Sequence, residues 1–197
     1  MREGIKMTKK YQIFYTLITQ LFASGISVLF TLIAFWTLLD KNIFKEILSI
    51  IFVLVNFGMI YSQAGKFAWY DKKPYTPLNV DSKKSILMGL VVSAVTLILF
   101  IVLKLSWALG GAQSDAGMYL DNGFAIAGNA LFMLWTFPFF GILGMSHGYI
   151  TWYSLVILLV MPPVAAFLGY NAELKDFHIL EKIYKFSFVQ KKEPKKK

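Results

Sequence analysis

Few side chains in this sequence could take part in catalysis, binding or hydrogen bonding within a site, and most of these lie in long apolar runs. The first run holds hydroxyl and amide residues at steps of three or four: Thr16, Gln20, Ser24, Ser27 and Thr31. In a helix this series falls on one face. Such a face can join neighbouring helices by hydrogen bonds or line a polar path between them. Packing is the simpler interpretation, and a polar path is the alternative.

Polar residues in the next two apolar runs have the same two interpretations. Asn56 and Gln63 lie seven residues apart on one face of the second run, and Ser93 and Thr96 belong to a small-residue stripe in the third. Small and hydroxylic residues let helices approach closely in lipid, which favours packing. The full set of candidates for helix packing or a polar path is Gln20, Ser24, Ser27, Thr31, Asn56, Gln63, Ser93, Thr96 and Lys104.

Lys104 is the one charged residue set well inside an apolar run, which makes it a candidate site residue. Trp107 follows three residues later, as is typical of the membrane–water interface. A lysine at that depth can extend its stem and keep its ammonium among the headgroups, so this interpretation is favoured. We expect no Asp or Glu within any span, which argues against a proton-coupled carrier.

The residues that most often serve catalysis or metal binding are sparse. The chain has no cysteine, and His147 and His178 have no histidine neighbour at ligand spacing. Asp115 and Asp121 could serve acid–base chemistry, but a solvated turn is the simpler interpretation of their Gly-rich stretch. No Walker loop, HExxH or GxSxG sequence occurs. We therefore expect no catalytic residue, no cofactor, no metal site and no enzyme activity.

The composition indicates that a membrane positions these residues. Hydrophobic residues make up 57% of the 197 residues, and charged residues only 16%, against about 25% in soluble domains. Four apolar runs are predicted to cross the membrane as helices, at about 11–39, 47–64, 86–109 and 150–170. The first run is too long for a cleaved signal peptide, so we expect it to be retained.

A fifth apolar run, 124–145, decides the number of spans. If it does not cross, 17 of the 20 basic residues lie on the cytosolic side, in agreement with the positive-inside rule. If it does cross, the split is 9 against 11 and the bias disappears. The bias predicts four spans, both termini in the cytosol, and a re-entrant or interfacial helical segment at 124–145 in the outer leaflet.

Two basic segments are expected on the cytosolic side. The first is the polar loop 65–84, in which Asp81 is a predicted N-cap of the third helix. The second is the tail 171–197, which is predicted to form an amphipathic helix on anionic inner-leaflet lipids. The candidate docking residues in these segments are Asp71, Lys72, Lys73, Asp81, Lys84, Glu181, Lys182, Tyr184 and Lys185. No nucleic-acid partner is expected.

Two short elements carry a resemblance to other proteins. The first is "VDSKKSILMGL", which contains Asp81, Lys84 and Gly89. The second joins the last span to the tail and consists of Pro163, Gly169, Tyr170 and "EKIYK". In these elements the chain resembles a loosely defined group of small polytopic membrane proteins of Gram-positive bacteria. The resemblance implies a non-crossing segment before the last span, and it implies no activity.

The sequence leaves two classes of function. The first is a non-enzymatic integral protein of the cell membrane, acting as an accessory or scaffold component of a membrane complex. The alternative is a small transporter or channel that acts as an oligomer. The expected partners are the lipid bilayer together with either another membrane protein or further copies of the chain.

Overall fold

The structure, a computed structural model, describes residues 8–35, 42–73, 80–109, 123–139, 152–175 and 177. Five α-helices, α1 to α5, have the bounds Lys9–Phe35, Asn42–Asp71, Ser82–Leu109, Gly123–Thr136 and Trp152–Leu174. A short 3₁₀ helix, Phe137–Phe139, follows α4 directly. No strand occurs among the residues described.

Four of the helices, α1, α2, α3 and α5, are long and apolar enough to cross a membrane. Side-chain placement agrees with an apolar solvent around the bundle. Phe22 and Leu109 are 66% and 73% exposed, whereas Gln12 and Asn56 are fully buried. The predicted all-helical class with four spanning helices is confirmed, and the chain is a multi-pass integral membrane protein.

Side-chain caps fix the start of two helices. At α1 the Thr8 hydroxyl accepts a hydrogen bond from the Tyr11 backbone N–H at 3.3 Å. At α3 the Asp81 carboxylate accepts one from the Lys83 backbone N–H at 2.9 Å. Each bond satisfies a backbone donor that has no partner within the helix. The prediction that Asp81 caps the third helix is confirmed.

Helix α2 extends well beyond its predicted end. The sequence predicted that the second span ends near residue 64, because Gly65 and Lys66 interrupt the apolar run there. In the structure α2 continues to Asp71, because Phe67 and Ala68 are buried in the core of the bundle. Asp71 and Glu173 thus lie in the last turns of the second and last of these helices, at the ends of the spans and not inside their apolar stretches.

Helices α2, α3 and α5 form the close-packed part of the bundle. A Cβ added to Gly169 of α5 would overlap the backbone of Tyr61 in α2, and one added to Gly89 of α3 would overlap the backbone of Pro163 in α5. Glycine therefore allows these backbones to touch, as small residues do in membranes. Ala165, four residues before Gly169, is buried in the same core.

The two prolines of α5 lie at its contact with α3. Pro162 and Pro163 lie inside α5, which continues as one helix through both residues. Pro163 has no N–H, so the Leu159 carbonyl loses the donor that a helix normally supplies four residues later. The Ser93 hydroxyl of α3 donates to that carbonyl at 2.6 Å. A neighbouring helix thus replaces the missing backbone bond.

Helix α4 packs along one half of α3. A Cβ on Gly128, near the start of α4, would overlap the Ser106 side chain near the end of α3. The Trp135 indole, near the end of α4, bonds to Thr96, which lies midway along α3. The predicted segment 124–145 thus begins as a helix that ends beside the middle of the bundle, and residues 140 to 145 lie outside the described part.

Candidate functional site

Four buried side chains meet at one end of the bundle and form what we call the Asp71 cluster. It consists of Gln12 of α1, Asp71 of α2, Lys84 of α3 and Tyr170 of α5. The Asp71 carboxylate accepts hydrogen bonds from Gln12 Nε2 at 3.1 Å and from the Tyr170 hydroxyl at 2.6 Å. It also forms a hydrogen-bonded ion pair with the Lys84 ammonium. One carboxylate therefore joins all four spanning helices.

Burial makes each charge of the ion pair between Asp71 and Lys84 dependent on the other. Asp71 and Lys84 are only 4% and 5% exposed. A buried charge is very unfavourable unless it is paired and hydrogen-bonded. The carboxylate is bound by an ammonium, a phenol and an amide from three other helices, so it ties the helices together. The prediction of Asp71 and Lys84 as surface docking residues is corrected on this point, because helices α2 and α3 bring them into the interior.

Other predicted docking residues surround the Asp71 cluster at the surface. The Lys72 ammonium donates to the Glu173 carbonyl in the last turn of α5 at 2.6 Å, which stabilises that helix end. Lys73 lies over the Trp69 ring, with its nitrogen 3.2 Å from the ring centroid. The Asp81 backbone N–H is 3.4 Å from the Tyr170 hydroxyl, which links the start of α3 to the cluster.

A second group of polar side chains, which we call the Trp135 network, lies at the middle of the bundle. The backbone carbonyl of Trp135 accepts hydrogen bonds from Gln20 Nε2 at 3.2 Å and Ser24 Oγ at 2.8 Å. The Trp135 indole N–H donates to Thr96 Oγ1 at 2.8 Å. Trp135 is in the last turn of α4, where carbonyls have no donor within the helix. The predicted stripe on α1 thus supplies donors to an otherwise unpaired carbonyl.

No protein-family model, curated protein or solved structure matches this chain. Function is therefore argued from the Asp71 cluster, the Trp135 network and the surface of the bundle.

Several buried amide atoms have no hydrogen-bond partner in the part of the chain that the structure describes. They include both side-chain polar atoms of Asn56 and the side-chain oxygens of Gln20 and Asn129. In a low-dielectric interior each unpaired polar atom is unfavourable by about 1–3 kcal/mol.

The remaining candidates from the sequence have separate positions. Ser27 and Thr31 donate to carbonyls four residues earlier in their own helix, at 2.8 Å each. Lys104 is exposed with its nitrogen 4.5 Å from the centroid of the Trp107 ring, as expected for a lysine that reaches the interface. Gln63 is half-buried and lines the α1–α2 groove, a surface groove between residues 15–22 of α1 and 55–66 of α2.

Two members of the Asp71 cluster were not predicted as site residues. Gln12 lies four residues before Thr16, so the stripe on α1 already pointed to it. No pattern in the sequence around Tyr170 indicated that it would be a site residue. The docking candidates Glu181, Lys182, Tyr184 and Lys185 lie outside the described residues. Within the described ranges, no three His, Asp or Glu side chains are grouped as a metal ion would require.

Proposed function

We propose that this protein is a non-enzymatic scaffold or accessory component of a membrane-protein complex. The Asp71 cluster carries the proposal. Its charged groups are enclosed between the four spanning helices and bound to one another, so they fix the arrangement of the helices. Buried polar groups of this kind can specify one register of packing. A fixed bundle is what a subunit needs to hold a partner in place.

The close contacts of α5 support the same proposal. Gly169 lies against the α2 backbone and Gly89 of α3 lies against Pro163, so sliding α5 past either neighbour would bring side chains into these contacts. A carrier alternates between two arrangements of its helices around a fixed site. The backbone contacts on both sides of α5 favour a single arrangement.

Purification from the native membrane in a mild detergent tests the scaffold proposal. We expect a second membrane protein to co-purify with the chain in fixed stoichiometry. Lys84→Met, which breaks the Asp71 cluster, should reduce the recovery of that partner more than the control Lys104→Met does. Recovery of the chain alone under conditions that preserve known complexes of the same membrane would overturn the proposal.

A transporter or channel is the second candidate, and the unpaired amides favour it. Gln20, Asn56 and Asn129 hold polar atoms in the interior that have no partner among the described residues. Proteoliposomes that contain only the purified chain would test this function by fluxes of protons, potassium and chloride. A robust flux that Asn56→Leu abolishes would establish the polar path and would overturn the scaffold proposal.

The proposed topology places both termini in the cytosol of a cell whose plasma membrane holds the four spans. Helix α4 has 14 residues, which at 1.5 Å per residue is about 21 Å, short of the ~30 Å of hydrocarbon. The bonds of Trp135 to the middle of α1 and α3 support a segment that enters without crossing.

The chain has no natural cysteine, so single cysteines can report on which side of the membrane each segment lies. Lys83→Cys and Lys196→Cys should resist impermeant thiol reagents in intact cells, and Ser114→Cys should react.

A further inference from the structure

The α1–α2 groove is an open depression on the outward face of the bundle. It has a volume of about 460 Å³, within the range of about 300–1,000 Å³ that small-molecule sites occupy. Tyr15 and Lys66 lie at one end of it, and Phe22 and Val55 at the other. Gly58 forms part of the floor, where a Cβ would meet no atom within 4 Å.

The length of the groove matches one leaflet of a bilayer. From Val55 to Lys66 the α2 wall rises about 16 Å at 1.5 Å per residue. Half of a hydrocarbon core of ~30 Å is about 15 Å. Lys66 lies near the end of α2 that holds the Asp71 cluster, and Val55 lies near the middle of the helix. The groove therefore runs from the polar boundary of the bundle to its midplane.

The two ends of the groove differ in chemistry. Lys66 is exposed, and it makes no hydrogen bond or ion pair with any residue that the structure describes, whereas nearby Lys72 is bound to α5. The walls below it carry apolar side chains, with Phe22 and Val55 at the far end, together with the polar side chains of Thr19, Ser62 and Gln63. A cation at the boundary and a mainly apolar groove one leaflet long are complementary to an anionic amphiphile.

We propose that the α1–α2 groove binds one anionic phospholipid, with an acyl chain along the groove and the phosphate at Lys66. A spanning helix of another protein is a poorer fit, because its length of about 20 residues would extend far beyond a groove that ends at the midplane. The proposal is independent of the scaffold function, since it concerns the outward face of α1 and α2 and not the Asp71 cluster.

Gly58→Leu tests occupancy of the groove. Because no atom lies near the position of a Cβ at Gly58, a leucine fills the groove without displacing the backbone. Gly25→Leu is the matched control, since Gly25 is equally open but lies on α1 outside the groove. Native mass spectrometry of the full chain, purified in the presence of palmitoyl-oleoyl phosphatidylglycerol, should show one retained lipid for wild type and Gly25→Leu. Gly58→Leu should lose it.

Lys66→Gln tests the headgroup contact, with Lys104→Gln as its control. Lys104 is another exposed lysine, but it lies near the opposite end of the bundle. Loss of one lysine beside an anionic lipid should reduce phosphatidylglycerol retention about fivefold. Retention of palmitoyl-oleoyl phosphatidylcholine should be weaker in wild type and should not change in Lys66→Gln.

Three results would overturn the lipid proposal. The first is equal retention of the two lipids by wild type, and the second is undiminished retention of phosphatidylglycerol by Gly58→Leu. The third is the capture of a protein and of no lipid in the native membrane by a photo-crosslinker at Ser62, which lies inside the groove. Failure of partner co-purification would overturn the scaffold function alone, because lipid retention is measured on the isolated chain.

Discussion

Helix α1 and the α2–α3–α5 part of the bundle are held in place by different interactions. Gly89 and Gly169 bring the backbones of α2, α3 and α5 into direct contact. Among the described residues, the long-range bonds of α1 are instead hydrogen bonds from Gln12 to Asp71 and from Gln20 and Ser24 to the Trp135 carbonyl. Lipid provides no hydrophobic drive for helices to associate, so packing and polar bonds must do so. In the described part of the chain, α2, α3 and α5 combine direct backbone contact with polar bonds, whereas α1 has polar bonds without a glycine contact of this kind.

The largest effect should follow from breaking the Asp71 cluster, where the two parts meet. Asp71→Asn or Lys84→Met alone leaves one buried charge without its partner, which should lower the free energy of unfolding by about 3–5 kcal/mol. This loss of stability can be measured by unfolding the protein in mixed micelles that contain an increasing fraction of SDS. The double variant should recover most of the loss, because it removes both charges. If the double variant lost as much unfolding free energy as the two single variants together, the pairing of Asp71 and Lys84 would be contradicted.

A smaller but clear effect is expected where the backbones touch. Gly169→Ala places a methyl group on the Tyr61 carbonyl and should destabilise the bundle by about 1–3 kcal/mol, as overpacking does. Gly25→Ala on α1 is the control and should be neutral, since nothing lies near that position. Equal stability of the two variants in the same SDS titration would remove the distinction between the tightly packed part and α1.

Ser93→Ala tests the bond between α3 and the proline turn of α5. It leaves the Leu159 carbonyl without its interhelical donor, at a cost of about 1 kcal/mol. Ser27→Ala is the matched control, because Ser27 donates only within α1, to the Ala23 carbonyl. A thermal denaturation in detergent should separate the two variants, and identical midpoints would show that the bond to Leu159 contributes nothing.

The smallest effect is expected for Gln20→Leu on α1. The Trp135 carbonyl keeps the shorter bond from Ser24, and the substitution also removes the unpaired Gln20 oxygen. The lost bond is worth about 0.6 kcal/mol, the average for one interhelical bond in a membrane, and removal of the unpaired oxygen acts in the opposite direction, so the unfolding free energy should fall by less than about 0.5 kcal/mol. A loss of more than 2 kcal/mol would mean that α1 depends on Gln20 far more than the geometry indicates.

Hydropathy and helical periodicity predicted much of this bundle because lipid constrains both. The four spans appear as long apolar runs in which Lys104 is the one charge, and the stripe on α1 keeps a helical spacing from Thr16 to Thr31. The end of α2 was missed because a glycine and a lysine interrupt the apolar run. Only tertiary packing shows that Phe67 and Ala68 keep this segment in the core.

The Asp71 cluster could not be predicted from local pattern. Asp71 and Lys84 are 13 residues apart, in a stretch whose charges suggested a solvated loop. Gln12 and Tyr170 lie 59 and 99 residues from Asp71, so only the arrangement of four helices brings them together. A pattern of spacing within one helix contains no information about such distances.

The bond between Ser93 and Leu159 has a consequence for how the protein is made. Helix α5 carries two prolines and relies on another helix to complete its own backbone bonding. Because α3 precedes α5 along the chain, the Ser93 hydroxyl is synthesised before the carbonyl to which it donates. The order of the helices along the chain therefore places the donor ahead of the helix that needs it.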